Sequence, residues 1–133
     1  MTNNLSIIFP EIFLSLSIFS ILMLGVFIKN SYNLITRISI LILISLIVII
    51  FYGDSSVLKS FSNTFIRDDL SNFIKILILI ASIFVLYSSQ LFIKDNKISK
   101  FEYPIIILIA ILGMFFMVSS NDLILFYLGL ELQ

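Results

Sequence analysis

Glu131 and Lys75 are ionisable residues inside apolar runs, where a helix would hold them away from water. Glu131 follows Asp122 by nine residues, which is roughly 13–14 Å along a helix. In a hydrocarbon core about 30 Å thick, that is near the midplane. A charge at that depth costs at least about 2.5–3.5 kcal/mol on insertion scales. The expected outcomes are a protonated, neutral acid, a carboxylate paired with a cation, or a hydrated cavity. Each suits a residue that relays protons. The plainer reading is a hydrogen-bonded glutamate in a bundle interior, and the scarcity of charge in the chain weighs against it.

Lys75 comes six residues after Asp69, roughly 9 Å along a helix. A lysine at that depth can snorkel back to the headgroups. The alternative is a cation that tunes the proton affinity of a buried carboxylate. The other charges have plainer readings. Glu11 and Glu102 stand at the expected starts of spans, where a carboxylate favours the helix N-terminal dipole. Asp122 is expected to cap a fifth helix. Arg37 is read as an interface anchor, and the Lys94–Lys100 group as a topology determinant.

The chain has no histidine and no cysteine. This removes the usual general base and the usual zinc, copper or haem ligands, and it excludes disulfides. Proton chemistry must run on Asp, Glu, Lys, Tyr or water. Formal net charge is zero, and no basic cluster is long enough to hold nucleic acid.

The elements that must position these residues are membrane helices. Hydrophobic residues make up 60% of the 133 and charged residues 12%, and mean hydropathy is +1.19. A soluble domain is about 45–50% apolar and about 25% charged, so the natural solvent for this chain is lipid. A span needs about 20 mostly apolar residues. The expected fold is all-α: one polytopic membrane domain over residues 1–133, with four transmembrane helices at about 5–28, 34–52, 70–93 and 103–119 and part of a fifth at 121–133. The first run lacks the charged n-region and cleavage site of a signal peptide, so it reads as a retained span. Phe61, Phe65 and Ile66 would share one face of a short interfacial helix between spans two and three. Pro10 and Pro104 are expected in first turns. Gly113 and Gly129 are expected to let helices approach closely.

Lys29, Arg37, Lys94, Lys97 and Lys100 flank one membrane face, and Lys59 and Arg67 the other. The positive-inside rule then puts the N-terminus outside. The run from Asn121 to Gln133 gives about 20 Å of helix. Carbonyls ending within lipid would be costly, so either a second polypeptide completes the fifth helix or the sequence is a piece of a longer one.

The C-terminal third carries a recognisable pattern. Glu102-Tyr103-Pro104 is followed by Leu112-Gly113-Met114. Val118-Ser119-Ser120-Asn121-Asp122-Leu123 comes next, and then Phe126-Tyr127-Leu128-Gly129-Leu130-Glu131-Leu132-Gln133. This resembles NADH dehydrogenase subunit 2, an antiporter-like membrane subunit of respiratory complex I. Pro10-Glu11-Ile12-Phe13-Leu14 and the Asp68, Asp69, Phe73, Lys75 group agree more loosely.

The resemblance implies a non-cofactor-binding subunit of an H+-translocating NADH:ubiquinone reductase. NADH, FMN, iron–sulfur clusters and quinone would be handled elsewhere in the complex. It puts Glu131 on the family's fifth-helix proton-path glutamate, which pairs with a lysine on a later helix. The family usually has ten or more helices, so the resemblance implies the N-terminal fragment of a split subunit. Its partners would be a second chain completing the fifth helix, other complex I membrane subunits and the bilayer. Ile, Phe, Asn, Lys and Tyr have A/T-rich codons, which fits an organelle genome and points to the mitochondrial inner membrane; the bacterial plasma membrane is the alternative. Two rival functions are a sodium/proton antiporter subunit and a structural or assembly subunit in which Glu131 only seals a junction.

Overall fold

A computed structural model describes residues 2–28, 32–52, 58–60, 65–95 and 102–133. Among the described residues five helices form: α1 (Thr2–Phe27), α2 (Tyr32–Tyr52), α3 (Asp69–Asp95), α4 (Glu102–Ser119) and α5 (Leu123–Leu132). Four of them contain stretches long and apolar enough to cross a membrane. A helix satisfies its backbone polar groups internally, which is the requirement for crossing hydrocarbon.

Each long helix buries one stripe. On α1 the buried positions among the described residues are Pro10, Glu11, Leu14, Ile18, Ile21 and Gly25. On α2 they include Tyr32, Thr36, Ser39, Leu43, Leu46 and Ile50. The alternating steps of three and four keep one seam facing the neighbours, the pattern of helices packed at shallow crossing angles. The remaining faces expose large apolar side chains, including Phe19, Phe27, Phe73 and Phe84. Such surfaces suit lipid and not water. Buried hydroxyls on α2 bond back within their own helix, Thr36 Oγ1 to the Tyr32 carbonyl at 2.8 Å and Ser39 Oγ to the Ile35 carbonyl at 2.9 Å. This removes the penalty of an unpaired polar group in the core.

The packing order is a ring. Helix α1 packs against α2 and α4, and α3 packs against the same two; α2 and α4 also touch. Between α1 and α3, among the described residues, no Cα pair comes within 8 Å. These two helices stand on opposite sides of the bundle axis. Helix α5 folds back along α4 after a short connection. A Cβ on Gly113 would meet the Gly129 carbonyl at 2.8 Å, and one on Gly129 would meet the Gly113 carbonyl at 2.9 Å. Only glycine lets the two backbones lie this close, as expected from the small residues.

Three details differ from the sequence-based expectations. The stretch between α2 and α3 holds two short strands, β1 (Leu58–Ser60) and β2 (Phe65–Arg67), paired antiparallel with Leu58 opposite Arg67. The expected interfacial helix is absent where Phe65 and Ile66 lie; Phe61 is outside the described residues. An isolated helix shorter than about 12–15 residues is marginal, whereas paired antiparallel strands satisfy each other's backbone groups. Pro10 lies inside α1, not in its first turn. The helix already starts at Thr2, and membrane helices tolerate the lost N–H because neighbours re-satisfy the freed carbonyl. Glu11 is therefore an interior residue of α1 and not a solvated cap. Pro104 and Glu102 do occupy the first turn of α4.

Candidate functional site

The site forms where the ring of helices closes over its own axis. Glu11 sits nine residues into α1 on the buried stripe. Lys75 sits six residues into α3, in register with buried Ser71 and Leu79. Lys75 Nζ donates to Glu11 Oε1 at 2.6 Å. Relative exposure of the two side chains is 2% and 1%. The α1 and α3 backbones stay apart, so the long lysine side chain spans the gap between them.

Helix α4 supplies the other contacts. Ser119 Oγ donates to the same Glu11 Oε1 at 3.1 Å. The Phe115 ring, one turn earlier, has its centroid 5.5 Å from Lys75 Nζ, a distance at which the ring face attracts a cation. Lys75 therefore faces the bundle interior and does not snorkel. The other carboxylate oxygen, Glu11 Oε2, is buried and accepts no hydrogen bond among the described residues.

Two features of α3 hold Lys75 at this depth. Asp68 caps the helix start: its Oδ1 accepts from the Ser71 N–H at 2.8 Å, and Ser71 Oγ accepts from the Asp68 N–H at 3.4 Å. The reciprocal bonds fix where the helix begins. From there Ser71, Lys75 and Leu79 fall at four-residue spacing on the inward stripe.

Glu131 is placed differently. It lies on α5 and is exposed among the described residues. Gly129 is the buried position of α5, and two residues further on is about 200° round the helix, so Glu131 points away from α4. Tyr127, one turn earlier on α5, is exposed as well. Glu11, which its position in the sequence presents as a solvated cap, is a carboxylate that the bundle encloses. The signal was the register: Glu11, Leu14, Ile18 and Ile21 share one helical face. Asp122 takes the N-cap position of α5 in extended conformation but makes no side-chain cap bond. Arg37 is exposed, as an anchor should be; residues 96–100 of the expected topology group are outside the described residues. Among the described residues no group of three or more His, Cys, Asp or Glu could hold a metal ion.

An apolar helix bundle closed around a buried charge pair defines a polytopic membrane protein with a polar site among its helices. No protein-family model matches the chain. It is 45% identical over 98% of its length to NADH-quinone oxidoreductase subunit N of Pelagibacter ubique, and 39% identical over 99% to subunit N of Paramagnetospirillum magneticum. Subunit N of Maricaulis maris is 31% identical over 100% of the chain. The chain is thus a homologue of NADH-quinone oxidoreductase subunit N, the counterpart of the subunit 2 that its C-terminal motifs resemble. It spans 28%, 27% and 28% of the length of these three relatives.

Proposed function

We propose that the chain is part of the membrane arm of a proton-translocating NADH:quinone oxidoreductase and contributes to proton translocation. The observation that carries this reading is the 45% identity over 98% of the chain to a relative named as a subunit of that enzyme. The charge pair enclosed among lipid-facing helices supports it, since polar groups inside a membrane bundle characteristically mark ion or proton routes.

In this reading Glu131 is a proton-path residue, facing helices contributed by the remaining length that the relatives possess. Lys75 is the cation that tunes a neighbouring carboxylate. The chain itself binds no redox cofactor; NADH, FMN, iron–sulfur clusters and quinone belong to other subunits. Its partners are the other membrane subunits and the polypeptide, continuous or separate, that supplies the rest of the subunit. The N-terminus lies on the outer face of an energy-converting membrane, as the Lys and Arg distribution supports. The membrane is the mitochondrial inner membrane on the codon bias, or the bacterial plasma membrane in which the named relatives' organisms would carry it.

The test is Glu131→Gln in the assembled complex. NADH oxidation and proton uptake are measured together in closed vesicles. Assembly at the normal level with reduced protons per NADH supports the reading. Unchanged pumping removes Glu131 from the path. Loss of assembly assigns it to the structural alternative, and sodium-driven transport without NADH oxidation assigns the chain to an antiporter.

A further inference from the structure

We propose that Glu11, Lys75 and Ser119 form a second proton-exchange site, separate from Glu131, at which a water docks on Glu11 Oε2. The proposal rests on the proton-translocating reading above. Its carrying observation is the uneven bonding of a side chain that is 1% exposed. Glu11 Oε1 accepts from both Lys75 and Ser119, while Oε2 accepts from nothing among the described residues. A carboxylate used only as a structural tie is expected to be satisfied on both oxygens, because each unmet polar atom in a bundle interior is costly. The Lys75 ammonium has donors to spare among the described residues. It has three N–H donors, and one is bonded to Glu11 while the Phe115 ring faces it.

The step is a proton transfer along the 2.6 Å contact. An Nζ–H bond of Lys75 breaks, its electron pair stays on nitrogen, and an O–H bond forms on Glu11. The charged pair becomes a neutral amine and a neutral acid with no change in net charge. A proton arriving through water at Oε2 gives the same acid and leaves Lys75 charged and unpaired. The site can thus hold one more proton. Ser119 remains the fixed donor that orients the carboxylate.

The surroundings contain few competing charges. On α3, Asp68 is bonded to its own cap and Asp69 is exposed. On α2, Arg37 and Tyr52 are exposed, and Tyr32 is buried at the start of the helix. On α4, Glu102 and Tyr103 stand at the far end; on α5, Asp122, Tyr127 and Glu131 are exposed. The hairpin against α1, α3 and α4 carries Lys59 and Arg67, whose side chains are outside the described residues.

The experiment is infrared difference spectroscopy of the assembled complex during NADH turnover, in H2O and D2O, with Glu11→Gln and Glu131→Gln variants. A deuterium-sensitive carboxylic acid band that vanishes in E11Q and persists in E131Q is the expected result. Identical carboxyl difference spectra in the native protein and E11Q overturn the proposal. A double variant, Glu11→Leu with Lys75→Met, guards against simple misfolding. If it assembles and pumps the native number of protons per NADH, the pair is only a tie and the proposal fails; at least a two-fold loss is expected. Failure of the wider reading shows differently, as absence of NADH-linked pumping in the native protein.

Discussion

Glu11 and Lys75 are bonded at 2.6 Å although the helices that carry them have no Cα approach within 8 Å among the described residues. The ion pair thus joins two helices whose backbones do not touch among the described residues. It lies on the bundle axis, roofed by Ser119 and Phe115 of α4. The arrangement sets the stability consequences of touching any of these residues.

Removing one partner leaves a buried charge without compensation. Lys75→Met alone, or Glu11→Leu alone, should destabilise the bundle by about 3–5 kcal/mol. The two changes together should leave it about as stable as the native chain. Unfolding by denaturing detergent, followed by circular dichroism, measures all three. A double variant no more stable than either single one would contradict this account.

Ser119→Ala deletes one charge-assisted hydrogen bond to Glu11 and leaves the ion pair. The expected loss is about 1.5–3 kcal/mol. The same unfolding assay should rank this variant above the single charge deletions, and an equal or larger loss would mean that Ser119 has a further structural task.

Gly113→Ala would drive a methyl to 2.8 Å from the Gly129 carbonyl and 2.9 Å from the Gln133 nitrogen, both backbone atoms. The two helices must then separate, at about 1–3 kcal/mol for overpacking. Increased proteolysis between α4 and α5 in detergent is the expected sign. Native protease resistance would show that the hairpin yields easily.

Asp68→Ala removes the side-chain acceptor at the start of α3. The cost should be about 1 kcal/mol, with fraying confined to the first turn. Hydrogen exchange should show the amide of Ser71 losing protection while that of Leu79 keeps it. Uniform protection loss along α3 would assign Asp68 a wider role.

Much of this was legible before any coordinates. Four spans, a fifth apolar helix, the close glycine contact and the homology to subunit N all follow from local features: apolar run length, residue size and a specific C-terminal motif. The interfacial helix failed because helical spacing over so few residues does not outweigh strand pairing. Pro10 misled the reading of α1, since proline in a first turn is the commoner case in water and a membrane helix can carry it deeper.

The chain's sequence by itself determined that it belongs in lipid, that it carries four long apolar spans and a shorter fifth run, and that Lys75 and Glu131 are among its charges within apolar runs. Burial of Glu11, its bond to Lys75, the donation from Ser119 and the outward direction of Glu131 were decided only by tertiary structure. The reason is distance along the chain. Glu11 and Lys75 are 64 residues apart, and Glu11 and Ser119 are 108 apart. No local spacing can state which of several inward-facing stripes will meet; the ring order of the helices does, and with it the carboxylate that receives the lysine.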